Sequence, residues 1–489
     1  MRHKQHVIHI RLRRGTHQEL RVTCARRGET IQSFVEMAVR RALQEPDGGW
    51  STGAETPPRR LRESPSTTVY EPMTEGDRST LRGADRSMGG AIDEVPYTDT
   101  AGMGDQAADV LASLAQQDWT FANADTREGA HALHPYPAKF IPQIPRTLVN
   151  ALHPRDGSVT LDPFCGSGTT LLESILQGIP AIGVDVNPLA VLVARVKTTP
   201  LSEPLDAAIA AIVQAVSLRY ADVGETSLPD IPRLDHWFKP EISQVVSMLL
   251  EEIEAAGLEE GPTDALRVAL SRILVRVSNQ ESDVRYAAIE KPVGPEQVVG
   301  LFEAAAMHIS HLLTRTLGSP LFPELRPAEA TVIHADARGL HENLPPWRVG
   351  LIVCSPPYPN AYEYWLYHKY RMYWLGMDPI AAREDEIGAR AHYSKANGLT
   401  AQDFANDMER CFRGFAALLP SGRYACFVIG NSRIRGTYVD NGELLTQVAQ
   451  DHGFTLRARF PRRIPRTKTA FNPSIGSIRR ESLLLFQRT

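Results

Sequence analysis

Two short stretches of this 489-residue chain carry residue types that could do chemistry together. The first is Leu161-Asp162-Pro163-Phe164-Cys165-Gly166-Ser167-Gly168-Thr169-Thr170. Its glycines let the backbone approach a ligand with no Cβ in the way. A helix starting at Thr169 would aim free N–H groups at something electron-rich. Asp185 ends the next apolar run and is placed to accept both hydroxyls of a ribose. The second stretch is Cys354-Ser355-Pro356-Pro357-Tyr358. Proline fixes its own φ and pushes the preceding residue out of the α region. Two in a row make a stiff bend that offers a hydroxyl, a carbonyl and an aromatic ring.

These residues need a frame. Val159 to Leu161 reads as a strand, Thr169 to Gln177 as a helix stopped by Gly178, and Ala181 to Val184 as a second strand. Val349 to Cys354 is a third, which puts the double-proline bend at a carboxyl end, where open α/β sheets hold their ligands. The glycine turn lacks the third glycine of the dinucleotide fingerprint, which argues against NAD. Upstream, His134-Pro135-Tyr136-Pro137-Ala138-Lys139-Phe140-Ile141-Pro142 has too many prolines for a helix or a central strand. A rigid loop with aromatics and one lysine suits a ligand wall.

The string Asp162 to Thr169 resembles the S-adenosylmethionine-binding motif of the amino-methyltransferases, which methylate exocyclic nitrogens of bases. The loop from His134 resembles the motif that precedes the glycine turn in that family and helps hold the methionine end of the cofactor. Thr331 to Arg338 reads as a strand ending in Asp336, where the family has an acid or amide that receives the adenine amino group. Ser355 to Tyr358 resembles the catalytic motif. Asp or Asn at its first position is common in adenine-N6 enzymes, and Ser resembles the cytosine-N4 form. Cys354 lacks the Pro-Cys-Gln context of carbon-5 enzymes and reads as a buried strand residue.

The resemblance implies an α/β, Rossmann-like methyltransferase sheet. It implies S-adenosyl-L-methionine as cofactor, held by Tyr136, Lys139, Asp162, Phe164, Gly166, Ser167, Gly168, Thr169, Asp185 and Asp336. Lys139 would face the cofactor carboxylate. Ser355, Pro356, Pro357 and Tyr358 would be catalytic, and no metal is expected. An exocyclic base amine is a poor nucleophile because its lone pair is delocalised into the ring. A hydroxyl and a backbone carbonyl accepting its two protons can draw the nitrogen toward tetrahedral geometry. Alignment then suffices for transfer without a covalent enzyme intermediate. The base must leave the duplex, and an aromatic can stack on it once flipped. Ser355, the Pro356 carbonyl and Tyr358 are expected in those roles, with Tyr362 and Tyr364 nearby. The function implied is site-specific methylation of cytosine N4 in duplex DNA. The alternatives are adenine N6, an RNA base, or a DNA-binding regulator with an inactive methyltransferase domain.

At the N-terminus, His6 to Arg13 alternates apolar and basic residues, and Thr16 to Arg27 and Ile31 to Leu43 have helical spacing. Strand-helix-helix in so short a segment resembles the ribbon-helix-helix DNA-binding domain. The resemblance implies pairing of two chains, with His9, Arg11 and Arg13 outward toward base edges and phosphates. The expected layout is 1–45 as this domain, 46–105 as a Gly-, Pro- and Ser-rich linker, and 106–489 as the methyltransferase domain. A helical insertion at about 200–327 is a candidate for target recognition. Two of its patches invite a DNA reading: Asp235 to Lys239, and Arg272, Arg276 and Arg285 with Asn279, Gln280 and Tyr286. Arg383 to Arg390 reads as solvated. Arg462 to Thr469 reads as a phosphate-contacting loop and Ser482 to Phe486 as a last strand.

The net charge of −4 hides the basic N-terminus and tail behind an acidic middle. No apolar run approaches the ~18 residues of a membrane span. Five scattered cysteines with no CxxC pair argue against a disulfide framework or zinc site. The expected partners are double-stranded DNA, a second copy of the chain and a cognate restriction endonuclease. The expected location is a bacterial-type cytoplasm, on the nucleoid.

Overall fold

The computed structural model describes residues 96–221, 226–283, 285–318, 328–344, 348–360, 362–464 and 480–489. The expected ribbon-helix-helix segment, with His9, Arg11 and Arg13, and nearly all of the expected linker lie outside the described residues.

The strands are β1 (Tyr97–Thr98), β2 (Val159–Asp162), β3 (Ala181–Asp185), β4 (Gln280–Ser282), β5 (Arg285–Ala288), β6 (Ala330–His334), β7 (Val349–Cys354), β8 (Tyr424–Gly430), β9 (Ser432–Ile434), β10 (Thr437–Val439), β11 (Phe454–Arg463) and β12 (Arg480–Arg488). The longer helices are α1 (Asp105–Ala115), α2 (Gln143–Leu152), α3 (Thr169–Ile175), α4 (Pro188–Thr198), α5 (Asp206–Ala221), α6 (Pro240–Ala255), α7 (Glu260–Val277), α8 (Pro295–Leu317), α9 (Tyr364–Trp374), α10 (Pro379–Asp385), α11 (Ala401–Leu418) and α12 (Asn441–Asp451).

Eight strands form one sheet in the order β1-β11-β12-β8-β7-β2-β3-β6. From β8 to β6 all neighbours are parallel. β12, β11 and β1 continue the sheet antiparallel. β2 and β7 are buried along their whole length, as parallel strands covered on both faces must be. Successive residues of β7 serve opposite cores. Leu351 and Val353 pack toward Leu148 and Val149 of α2, whereas Ile352 joins Phe412 and Phe415 of α11. The chain leaves β2 for β3 on one side and β7 for β8 on the other. The boundary between β2 and β7 is therefore the point where such sheets leave a crevice at their carboxyl ends. The glycine turn follows β2 and Ser355 follows β7.

The insertion is helical: α5, α6, α7 and α8 share one core with α4 and with Trp237 and Phe238. Both aromatics are buried anchors, not a DNA patch. Arg272 is likewise turned inward, donating to the carbonyls of Ala132 and Leu133. The hairpin β4–β5 interrupts the helices and was not visible as a pattern, since its strands are only three and four residues long. Tyr97 and Thr98, expected in the linker, pair with β11. β12 is not an edge but lies between β8 and β11. Arg462 corrects the expected phosphate loop. It lies within β11, only 7% exposed, ion-paired with Glu481 and donating to the Trp119 carbonyl. Its place in the strand alternation turns it inward, where a buried guanidinium needs a carboxylate. Residues 465–469 of that stretch lie outside the described residues. Among the described residues no helix is long and apolar enough to cross a membrane.

Candidate functional site

The glycine turn is shaped by its second strand. Asp185, at the tip of β3, accepts from the backbone N–H of Gly166 at 2.8 Å and of Asn187 at 2.9 Å. The carboxylate thus fixes the turn and still faces the crevice. Asn187 caps α4, its side chain accepting from the N–H groups of Leu189 and Ala190, with Pro188 at the first helical position. Gly168 has φ +75°, and a Cβ there would lie 2.9 Å from the Ala194 Cβ. Only glycine lets the turn close onto α4. Gly166 also has positive φ, and a Cβ there would fill the space toward the Tyr136 ring, 3.5 Å away. Fully buried Lys197 donates from Nζ to the Ser167 hydroxyl at 3.1 Å, tying α4 under the turn.

Around this turn lies a cleft of about 890 Å³, open to solvent. Of the sequence-expected residues it brings together Tyr136, Lys139, Asp162, Phe164, Gly166, Ser167, Thr169, Asp185, Asp336, Ser355 and Pro357. Gly168 sits behind it. Pro356 and Tyr358 do not line it.

Tyr358 is held at the elbow, off the cleft lining. Its hydroxyl donates toward the Val428 carbonyl at 3.2 Å and Glu481 at 3.0 Å, and lies 3.3 Å from the Ser355 Oγ. Burial, then Glu481, push its pKa up, so it stays a neutral phenol. The ring is committed to the elbow and is not presented to the cleft. Tyr364, at the start of α9, lines the cleft together with Tyr136, Phe140 and Phe164. It stacks on Tyr136 with centroids 5.6 Å apart and planes at 22°, and Tyr136 in turn lies 4.9 Å from His368.

Asp336 and Lys139 are already engaged. Arg338 bonds both oxygens of Asp336 through Nε, at 3.1 and 2.8 Å. Lys139 donates to the carbonyl of His131 at 2.6 Å and more weakly to that of His134. Burial lowers the Lys139 pKa to about 8, with Arg127 and Arg272 adding to the effect.

The sequence reading missed Glu386. The stretch Arg383 to Arg390 was expected to be solvated, yet Glu386, Ile387, Gly388 and Ala389 are buried. Glu386 lines the cleft and accepts from the N–H groups of Tyr364 at 2.9 Å and Trp365 at 3.1 Å. It thereby supplies, from another segment, the capping acceptors that the first turn of α9 lacks. Gly388 pins the same strap to the elbow: its carbonyl accepts from Asn360, and a Cβ there would lie 3.0 Å from the Tyr358 carbonyl oxygen. Alternating charge suggested a solvated face; the apolar Ile-Gly-Ala that follows was the available signal.

Burial sets the protonation of these acids. It pushes Asp162 up to about 7, partly offset by the Phe164 N–H, and Glu386 up to about 8 against its two backbone donors. Asp185 is raised by burial as well. Three carboxyl groups with raised proton affinity face one cleft, a setting that favours a ligand carrying positive charge.

Residues 64–195 match the family model described as DNA methylase. The matched segment contains the glycine turn and the loop before it. The match begins inside the expected linker, at residue 64. The Type II methyltransferase M.MvaI of Kocuria varians is 31% identical over 173 residues, 33% of this chain and 37% of that protein. M.MjaII of Methanocaldococcus jannaschii is 39% identical over 85 residues, 16% of each chain. The tRNA (guanine(10)-N2)-dimethyltransferase of the same organism is 38% identical over 52 residues, 11% of this chain and 15% of that protein. The chain therefore spans well under half the length of these relatives. Among solved structures, TrmN from Thermus thermophilus aligns over 72% of this chain and 49% of its own, with a TM-score of 0.28 and 13% identity.

Proposed function

We propose that the chain is an S-adenosylmethionine-dependent DNA methyltransferase acting on the exocyclic N4 of cytosine. The observation that carries this reading is the shared cleft. Gly166, Ser167 and Asp185 on one side, and Ser355 and Pro357 on the other, line a single space at the carboxyl ends of adjacent strands.

The residues present fit the donor. The Gly166 cradle is one a Cβ would fill. Asp185 retains acceptor capacity for a ribose, and the ring of acids suits a cation. When bound, the donor supplies a sulfonium methyl group. Asp185, Asn187 and the glycine turn would hold its nucleoside part, with Tyr136 and Phe164 as walls. Ser355 would accept a hydrogen bond from one N–H of the target amine while a backbone carbonyl of the proline elbow accepts from the other, drawing the nitrogen lone pair out of conjugation. The elbow is stiff, so this geometry exists before the base arrives. Transfer would form the N–C bond as the C–S bond broke, and the surplus amine proton would pass to the solvent that reaches the cleft, since the serine and the carbonyl only accept hydrogen bonds. Tyr364, not Tyr358, is the proposed stacking partner for an extruded base.

Duplex DNA is the proposed substrate, with His9, Arg11 and Arg13 contributing contacts and a second copy of the chain pairing through the same segment. The similarity to Type II methyltransferases supports a cognate endonuclease as partner. Serine at the elbow supports cytosine over adenine. Incubation of purified chain with labelled donor and duplex DNA, followed by digestion to nucleosides, should give N4-methylcytosine. N6-methyladenine alone would overturn the base choice. Label in transfer RNA but not in DNA would overturn the DNA assignment in favour of the activity that the third relative's name states.

A further inference from the structure

Beside the mouth of the cleft, the insertion and the catalytic half bring three cations together on one surface. Arg233 precedes the short helical turn Leu234–Trp237, Lys369 lies on α9 and Arg383 on α10. Packing fixes their proximity. The Tyr370 hydroxyl donates to the Pro232 carbonyl at 3.3 Å, and the Trp237 ring lies 5.3 Å from that of Tyr370. The residue before Arg233 is therefore held against the residue after Lys369. Arg383 places its guanidinium 5.5 Å over Trp365, which stands one helical turn before Lys369 on the same face of α9. The Lys369 Nζ lies 5.8 Å from the rings of both Tyr370 and Tyr373.

These cations feel one another. Burial, then Arg233 and Arg383, lower the pKa of Lys369. Among the described residues neither Arg233 nor Lys369 has a carboxylate at ion-pairing distance. Arg383 reaches only exposed Glu384, at 3.7 Å, a contact of little energetic value. Aromatic faces hold the stems in place while the charges stay accessible. The cluster also flanks the site: Tyr364 at the head of α9 and Asp385 at the end of α10 both line the cleft.

We propose that Arg233, Lys369 and Arg383 form a phosphate-backbone contact for duplex DNA, gripping the strand beside the extruded base. This rests on the function proposed above and adds the insertion's part in it. Accessible cations with no buried carboxylate among the described residues to hold them, drawn from three separate segments, suit a line of phosphates, which position the duplex, more than a single base edge.

The test uses the full chain with Arg233→Gln, Lys369→Gln and Arg383→Gln combined. Duplex binding is followed by fluorescence anisotropy from about 50 to 200 mM salt. Each lost phosphate contact should flatten the slope of log affinity against log salt by about 0.9, so the triple variant should lose roughly 2 to 3. The loss should be alike on unrelated duplexes. Calorimetric affinity for S-adenosylmethionine should stay at the wild-type value, which shows an intact fold and cleft. If the triple variant misfolds, Lys369→Gln alone should lose about 0.9 of slope. An unchanged slope in a folded variant, with wild type still methylating DNA, overturns the phosphate contact and leaves the methyltransferase reading standing. A wild type that transfers methyl groups to RNA and not to DNA overturns both.

Discussion

Replacing Glu386 by Gln tests whether burial really governs the acids of the cleft. The ordinary value of this carboxyl is 4.5, and burial pushes it up to about 8. The folded state therefore holds a proton that the unfolded chain releases between those limits. A carboxyl raised on folding contributes stability that is fully present below pH 4.5 and lost as pH rises through about 8. At about 1.4 kcal/mol per pH unit, the separation amounts to at most about 5 kcal/mol, less if water or a side chain relaxes toward the charge. Asp162, raised to about 7, acts in the same direction and remains in the variant. Glutamine keeps one acceptor for the Tyr364 or Trp365 N–H and loses the other, a cost of about 1 kcal/mol. Urea denaturation at pH 4.5, 6, 7.5 and 9 should then give crossing curves. The variant should be less stable than wild type at pH 4.5, level near pH 5, and increasingly more stable from pH 6 to 9. Parallel curves, offset by a constant amount across that range, would refute the reasoning, because they would mean that Glu386 ionises as easily folded as unfolded.

Ser355→Ala should lower kcat by about 10²- to 10³-fold, the usual effect of deleting one group that bonds the reacting centre, while donor affinity by calorimetry stays unchanged. Gly168→Ala combines a left-handed backbone with a Cβ 2.9 Å from that of Ala194. It should cost about 2 to 4 kcal/mol in urea denaturation and weaken donor binding, because the turn must move. Glu173→Ala leaves Arg146 and His131 without the carboxylate they bond at 2.7 and 2.8 Å. The expected loss is about 3 kcal/mol in thermal or urea unfolding, with little effect on kcat of the folded fraction. Affinity for the sulfonium donor should rise from pH 6 to 8.5 as the cleft acids ionise, whereas affinity for the neutral thioether product should rise less; equal slopes by calorimetry would refute this.

Parallel sheet and glycine turn were legible because each rests on local rules. Buried parallel strands read as apolar runs, and β2, β3 and β7 came within a residue of expectation. The turn's glycines and Asp185 are adjacent in space because one helix and one strand link them. What escaped the sequence depends on distant chain segments. Glu386 is buried because it caps a helix that begins twenty-two residues earlier, and no local pattern encodes that pairing. Arg462 and Glu481 meet across two strands whose neighbourhood follows from β12 entering between β8 and β11. Tyr358 follows the same logic. Its motif marks it as an aromatic at an elbow, but Glu481 and the Val428 carbonyl decide where its hydroxyl points. The insertion's helices were visible from their apolar spacing, and its arginines could be sorted into inward Arg272 and outward Arg233 only once the packing was known.

The two halves of the cleft divide the electrostatic labour. On the β2–β3 side and its strap, Asp162, Asp185 and Glu386 hold protons more tightly than free carboxyls do, so their charge responds to what enters. On the β7 side the elbow is neutral: a serine hydroxyl, a proline carbonyl and a phenol that burial keeps protonated. A positive ligand would draw protons off the first set and be held by the charges this uncovers. On the proposed reaction, methyl transfer would remove the ligand's charge, and the same acids would take protons back, which would favour product release. A permanently ionised carboxylate at the elbow would blur that contrast, since it would attract the donor's charge toward the base side before the base had arrived. Serine at position 355 avoids this, and leaves alignment of the target amine to two neutral acceptors on a backbone that proline has already made rigid.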